Sequence, residues 1–262
     1  MNIFIIAILT MGGLGLFFAT VLAVASEKLK VHEDPKVKEV FEALPGLNCG
    51  ACGQAGCHAL AEKIVKDGVE GNSCPPGGSE TAEAIAKIMG VEIGEVIKKR
   101  AVVKCGGFRN VAPVRAEYDG IKTCKAAQMI QGGFKACIYG CLGLADCVRA
   151  CPFGAITIKN DLAVIDEEKC TACGLCVAAC PRGLIEIIPS SNRIVVKCMS
   201  KDKGAVVRKV CKVGCIACNI CVKTAPEGYK IENFLARVNH DKGDAVAEPA
   251  IAKCPTKCIV KT

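Results

Sequence analysis

Residues 137–156 read CIYGCLGLADCVRACPFGAI, and residues 170–185 read CTACGLCVAACPRGLI. The second stretch places Cys170, Cys173, Cys176 and Cys180 in the CxxCxxCxxxCP spacing, in which three thiolates hold one [4Fe–4S] cube and the cysteine before proline reaches across to another. The first stretch carries Cys141, Cys147 and Cys151 in a stretched version of the same run. Two such runs side by side interlock: Cys170, Cys173 and Cys176 are expected to take Cys151, and Cys141 and Cys147 to take Cys180.

The whole chain is built on this chemistry. Twenty-one of its 262 residues are cysteine. Disulfides on that scale belong to small secreted scaffolds, whereas this chain is long and lysine-rich, and its odd cysteine count leaves one thiol over. Structural zinc takes separated CxxC or Cys/His pairs; a CxxCxxC run closed by Cys-Pro wraps a cube instead. Aromatic residues make up only 4% and tryptophan is absent, so several small domains must fold around thin apolar cores, with metal centres contributing to stability. The formal charge of +8 resembles a nucleic-acid signal. Anionic four-thiolate clusters would offset it, and no nucleic-acid partner is expected.

Residues 3–25 are 23 uncharged, mostly apolar residues, enough to cross a bilayer as one helix. No basic residue precedes the run, which is longer than a secretory h-region, and Lys28 and Lys30 follow it. The positive-inside bias then places the rest on the cytoplasmic side of the inner membrane. Gly12, Gly13 and Gly15 offer a small surface to neighbouring membrane helices. Their GGLG string follows no strand, and neither a P-loop nor a Rossmann fingerprint occurs elsewhere, so the chain is not expected to bind NAD itself.

Residues 44–77, LPGLNCGACGQAGCHALAEKIVKDGVEGNSCPPG, set Cys49, Cys52, Cys57 and Cys74 around one further cluster, with Gly50, Gly53 and Gly56 bringing backbone N–H groups close to sulfur. His58 is read as a surface residue. Helical periodicity covers 58–69, and 80–99 reads as one or two amphipathic helices.

An internal repeat follows. Adding 74 to Cys124, Cys137, Cys141, Cys147 and Cys180 gives Cys198, Cys211, Cys215, Cys221 and Cys254. Cys151, Cys170, Cys173 and Cys176 fall instead on Ala225, Asp244, Ala247 and Ala250, so the second copy has lost one whole ligand set and kept Cys215, Cys218, Cys221 and Cys254. In the first copy Leu144 replaces the counterpart of Cys218. Cys137 is the expected fourth ligand there, with Asp146 or a three-iron cluster as alternatives. Cys105, Cys124, Cys198, Cys211 and Cys258 remain. The recurring pairs Cys124/Cys137 and Cys198/Cys211 either form a fifth cluster between the copies or pack as buried thiols.

The fold class expected is α+β, in five parts: a transmembrane helix (1–25), a linker (26–42), a four-cysteine [4Fe–4S] module (43–100), a ferredoxin-like module with two clusters (101–190) and a degenerate one with a single cluster (191–262). The single span, CGACGQAGC and the two Cys-Pro runs together resemble the B component of the Rnf complex, the membrane-bound ferredoxin:NAD oxidoreductase of bacteria. The resemblance covers nearly the whole chain, although the final CxxCxxC triple of longer relatives is missing. It implies an electron-entry subunit with about four or five [4Fe–4S] clusters that accepts electrons from reduced ferredoxin and relays them to other membrane subunits carrying flavins and the NAD site. The Lys-rich stretches KIVKDG, VIKKR and SKDKG would then steer an acidic ferredoxin. Two rival classes are an iron–sulfur donor to a corrinoid enzyme, for which a cobalamin domain is lacking, and a tethered zinc protein.

Overall fold

A computed structural model describes residues 3–28, 34–68, 73–92, 94 and 97–262. Helix α1 (Ile3–Lys28) follows the apolar run, and its stretch Phe4–Lys28 is long and apolar enough to cross a membrane. Among the described residues its side chains are almost all exposed.

Helix α2 (Pro35–Ala43) starts where Asp34 accepts the Lys36 N–H (2.9 Å) and Pro35 presets the first turn. Its Val37 and Val40 are buried with Leu60, Ile64 and Ile85, contributed by α3 (Cys57–Asp67) and α4 (Gly78–Met89). The segment expected as a linker over 26–42 therefore supplies part of the first module's core, because one amphipathic face of α2 needs cover. Helix α3 stops at Gly68, whose φ of +67° is the left-handed cap glycine favours. Of the helical stretch expected over 80–99, only α4 forms: it ends at Met89 with a left-handed Gly90 cap, residues 91, 92, 94, 97 and 98 are not helical, and Lys99 begins a strand, while residues 93, 95 and 96, like residue 69 of the expected 58–69 helix, lie outside the described residues.

The two ferredoxin-like modules share one plan. In the first, β1 (Lys99–Val103) pairs antiparallel with β4 (Ile185–Pro189), and β2 (Ile156–Lys159) forms a hairpin with β3 (Leu162–Ile165). In the second, β5 (Ile194–Val196) pairs with β8 (Ile259–Lys261), and β6 (Tyr229–Glu232) with β7 (Leu235–Val238). Both hairpins turn through two left-handed residues, Asn160 and Asp161 in one, Asn233 and Phe234 in the other, as a two-residue turn requires. Lys99 and Arg100 belong to β1, so the first ferredoxin-like module begins before the boundary expected at 101.

Short helices carry the cysteine runs: α5 (Cys124–Met129), α6 (Asp146–Arg149) and α7 (Leu175–Ala179) in the first module; α8 (Gly204–Val210), α9 (Ile220–Thr224), α10 (Asp244–Ala247) and α11 (Pro249–Lys253) in the second. Pairing the outer strands folds each module back on itself, and α6 packs on α7 as α9 packs on α11. That closure brings Cys180-Pro181 to Cys141 and Cys147, Cys151-Pro152 to Cys170, Cys173 and Cys176, and in the second module Cys254-Pro255 to Cys215, Cys218 and Cys221. The apolar cores are thin, and Cys147, Cys176, Cys215 and Cys221 are part of them. Arg100, read with VIKKR as a steering patch, is instead buried: it pairs with Glu167 and donates to the Asn192 carbonyl (2.8 Å) and to Thr262 Oγ1 (2.6 Å), tying the first module to the second.

Candidate metal centres

In the four-cysteine module Cys57 is fixed from both sides, its N–H donating to Asn48 Oδ1 (2.8 Å) and its sulfur accepting the Asn48 N–H (3.4 Å). Gly56 must lack a side chain here, since a Cβ would stand 2.8 Å from Asn48 Oδ1. Burial pushes the Cys74 thiol up, and Cys57, Cys52 and Cys49 add to the rise as neighbours. These four cysteines form one group, as their spacing requires. His58 is exposed and packs its ring edge-on against Phe41.

Four pockets of similar size take up seventeen further cysteines. Cys151, Cys170, Cys173 and Cys176 line one of about 320 Å³. Cys124, Cys141, Cys147 and Cys180 line one of about 380 Å³. Cys215, Cys218, Cys221, Cys254 and Cys258 line one of about 310 Å³. The fourth, about 360 Å³, is lined by Cys105, Cys137, Cys198 and Cys211.

Two expectations change. The residue beside Cys141, Cys147 and Cys180 is Cys124, whereas Cys137 faces a different pocket. Cys124, in turn, is not grouped with Cys198 and Cys211; Cys105 takes that place. The cause is an insertion. Cys105 and Cys137 are 32 residues apart but Cys198 and Cys211 only 13, so the first module carries 19 extra residues. They include α5, whose first residue is Cys124, capped by Thr123. Arg182, just past Cys180-Pro181, clamps the insertion in place: it donates to Gln128 Oε1 (2.7 Å) and the Cys137 carbonyl (3.2 Å), and also to the carbonyls of Gly132 and Gly140. The 74-residue match of Cys124 to Cys198 is thus accidental. The true counterparts, Cys105 and Cys198, each close the same tetrapeptide, VVKC, at 102–105 and again at 195–198.

Electrostatics pick out the same sets. Burial pushes the Cys147 thiol up to about 12, with Cys141, Cys124 and Cys180 raising it further. It pushes Cys176 up to about 11, with Cys173, Cys170 and Cys151 as the contributing neighbours. Crowded, buried thiols of this kind stay protonated until a cationic centre displaces the protons, so cofactor assembly releases them. In the second module Cys258 lies 3.6 Å from Cys254, sulfur to sulfur, and hydrogen bonding among the three neighbouring thiols shifts Cys254 and Cys215 down and Cys258 up. Cys258 corresponds to Leu184 in the first module, so it is a surplus thiol beside a set already complete with Cys215, Cys218, Cys221 and Cys254.

The donor sets fit a cube. Among the described residues no three His, Cys, Asp or Glu side chains converge closely enough to hold a single metal ion. The thiols of each set stand around a space, and backbone N–H groups point at the sulfurs, as from Leu184 to Cys180 and from Ala236 to Cys215, both 3.4 Å. Such N–H···S contacts stabilise an anionic cluster and tune its potential.

Comparison with known proteins agrees with this geometry. A family model for an Fe-S cluster matches residues 44–76, one for a 4Fe-4S binding domain matches 163–186, and one for the 4Fe-4S single cluster domain of Ferredoxin I matches 210–261. Over 99% of its length the chain is 44% identical to the B component of the Na(+)-translocating ferredoxin:NAD(+) oxidoreductase complex of Acetobacterium woodii, covering 78% of that protein. It is 41% identical over 98% of its length to the B component of the ion-translocating oxidoreductase complex of Methanosarcina acetivorans, covering 98% of it. The chain belongs to the B-component family of ion-translocating oxidoreductase complexes. A third member, the B component of the proton-translocating ferredoxin:NAD(+) oxidoreductase complex of Clostridium ljungdahlii, is 42% identical over 99% of this chain and 93% of its own. As an Rnf-type B component, the chain is an iron–sulfur electron-transfer subunit of an oxidoreductase and carries multiple [4Fe–4S] clusters in tandem ferredoxin-like modules.

Proposed function

We propose that this protein accepts electrons from reduced ferredoxin at its second ferredoxin-like module and delivers them, through the first ferredoxin-like module and then the four-cysteine module, to membrane partners of an Rnf-type ferredoxin:NAD oxidoreductase. α1 anchors it in the cytoplasmic membrane of a bacterial cell, with every module on the cytoplasmic side. The observation that carries this reading is the serial placement of the ligand sets. Cys49 of the four-cysteine module is an electrostatic neighbour of Cys173, in the set with Cys151, Cys170 and Cys176. That set shares a module with Cys124, Cys141, Cys147 and Cys180, through α6 packed on α7. Cys215, Cys218, Cys221 and Cys254 form the set of the second ferredoxin-like module, in a pocket that shares no lining residue with the other sets.

Bound [4Fe–4S] clusters supply one-electron transfer, and the protein sets their spacing and potential. The two ends of the series differ in what they present. At the second module Cys218 is exposed, and Lys223, Lys253 and Lys257 are exposed on or beside α9 and α11, the helices that flank Cys221 and Cys254 of the same set. A cationic rim at an exposed ligand suits an acidic protein donor and speeds its encounter. The opposite end, Cys49 and Cys52, is the one nearest along the chain to α1, where membrane partners would meet it.

Anaerobic mixing of the detergent-purified protein with reduced ferredoxin tests this. The visible iron–sulfur absorbance should bleach, at a rate that falls with ionic strength and with Lys223→Glu/Lys253→Glu. Clusters that dithionite reduces and ferredoxin leaves oxidised would refute the reading. Protease digestion of everted vesicles should reach the modules; protection there would reverse the orientation.

A further inference from the structure

Cys105, Cys137, Cys198 and Cys211 are outside the sets assigned above, and no family model that matches the chain spans all four. They line one pocket in the seam between the two ferredoxin-like modules, two thiols from each. The pairs are equivalent. Cys105 and Cys198 each stand two residues beyond the end of an outer strand, at the close of VVKC. Each sulfur accepts an N–H from two residues on, Gly107 to Cys105 at 3.4 Å and Ser200 to Cys198 at 3.5 Å. Each also accepts the N–H of the first cysteine of its own module's run, Cys141 for Cys105 (3.4 Å) and Cys215 for Cys198. Cys137 and Cys211 likewise accept the N–H two residues on, from Tyr139 and Val213. Val102 and Val195, the first residues of the two VVKC strings, meet in one small core with Ile188 and Val260. The two modules thus meet the seam with equivalent residues in equivalent local geometry.

The thiols of opposite modules come close together. A Cβ on Gly107 would stand 3.5 Å from Cys105 Sγ and 4.0 Å from Cys211 Sγ, so the absent side chain leaves the space beside both sulfurs open. Charge points the same way, independently. Lys135 is fully buried, and its ammonium donates to the carbonyls of Gly107 (3.2 Å), on the pocket wall, and Asp161 (3.0 Å), neither a carboxylate. Lys197 lines the pocket itself, and no Asp or Glu does. An ammonium taken out of water without a counter-anion is costly, and an anionic group in the seam removes that cost.

We propose that Cys105, Cys137, Cys198 and Cys211 ligate a further [4Fe–4S] cluster, shared equally by the two ferredoxin-like modules. A single metal ion does not fit, because among the described residues no three such side chains converge on one point. With its sulfurs one N–H···S contact from the runs on either side, the site fills the gap between the two modules' own sets. It deepens the relay reading, resting on it only for the presence of clusters, and is tested without any electron donor.

The full-length chain, purified anaerobically in detergent, should carry about twenty iron atoms, four for each of five clusters. Cys105→Ala and Cys198→Ala, one from each module, should each lower the count by about four while the other clusters' paramagnetic resonance signals persist. Native mass spectrometry of the parent should show five cluster masses, which keeps the question answerable should a variant fail to fold. About sixteen iron atoms in the parent, stoichiometric zinc, or twenty that neither substitution reduces would overturn the assignment. Ferredoxin that fails to reduce a five-cluster protein would instead sink only the donor.

Discussion

The two ferredoxin-like modules share strands, hairpins and outer pairing, yet one encloses two ligand sets of its own and the other one. Where the first module places Cys151, Cys170, Cys173 and Cys176, the second has Ala225, Asp244, Ala247 and Ala250. That region has not stayed hollow. The β2–β3 and β6–β7 registers make Tyr229 the counterpart of Ile156, which lines the cysteine pocket. Tyr229 is 2% exposed, packs with Ala225, Ala247 and Ala250, and donates its hydroxyl to the Ala247 carbonyl (3.0 Å). The loop that would carry cluster ligands has become helix α10, packed so tightly on Gly228 that a Cβ there would meet the Ala247 Cα at 3.1 Å. A fold that loses an inorganic core must replace its volume and its cross-links, and here one aromatic ring and one hydrogen bond do so.

The strongest way to break this comparison is to put the plug into the first module. Ile156→Tyr should expel the neighbouring cluster, removing about four iron atoms and much of that module's resistance to denaturant, since small domains of this kind depend on their metal. Iron analysis alongside a urea titration reads both. If the full iron load survives, Tyr229 is not what fills the vacated space.

Next in size is the insertion. Cys124→Ser should lose or convert the cluster held with Cys141, Cys147 and Cys180, visible as a changed paramagnetic resonance spectrum, whereas Cys137→Ser should leave that signal in place. Adding Leu144→Cys, which restores the regular spacing, should recover the lost signal in the Cys124→Ser background. A spectrum indifferent to Cys124 would return the fourth ligand to Asp146 or to a three-iron cluster.

Smaller effects follow in the second module. Tyr229→Ala should destabilise it by about 3–5 kcal/mol, the range for emptying a buried aromatic site, with no iron lost. Tyr229→Phe should cost about 1 kcal/mol, the worth of one neutral hydrogen bond. Chemical denaturation followed by circular dichroism measures both. Equal losses in the two variants would show that the hydroxyl alone, not the ring, carries the contact. Smallest of all, Cys258→Ala should keep every iron atom and shift the potential of the Cys215, Cys218, Cys221 and Cys254 cluster downward, because a donor to its sulfurs is removed. A redox titration that shows no shift, or iron that leaves, would contradict the surplus role.

How far the sequence could be read follows from where spacing fixes geometry. CxxCxxC runs and Cys-Pro are local, so the groups of Cys49, Cys170 and Cys215 with their partners could be read directly. The crossing of runs could be read too, because it follows from antiparallel closure. Cys124 could not be placed, since its set is completed across a 19-residue insertion and an arithmetical match to Cys198 offered a false partner. The plug was hidden by a one-residue slip: the hairpins align at an offset of 73, the cysteine runs at 74, so Tyr229 falls opposite Ile156 and not Ala155. Lys135 gave no signal at all. A lysine reads as surface until the fold buries it, and which loop does so is a tertiary matter.

The seam built from equivalent thiol pairs has a consequence for ancestry. Each module contributes two thiols to it, in the same local geometry, and neither could complete the site alone. A lone ancestral copy bearing this half-site could hold the cluster proposed here only by meeting a second copy, as a homodimer clasped by iron at its symmetry axis. Fusion of the two halves into one chain then frees each to diverge, one gaining an inserted helix with a cysteine and the other exchanging a cluster for a tyrosine, while the clasp holds both to the same axis.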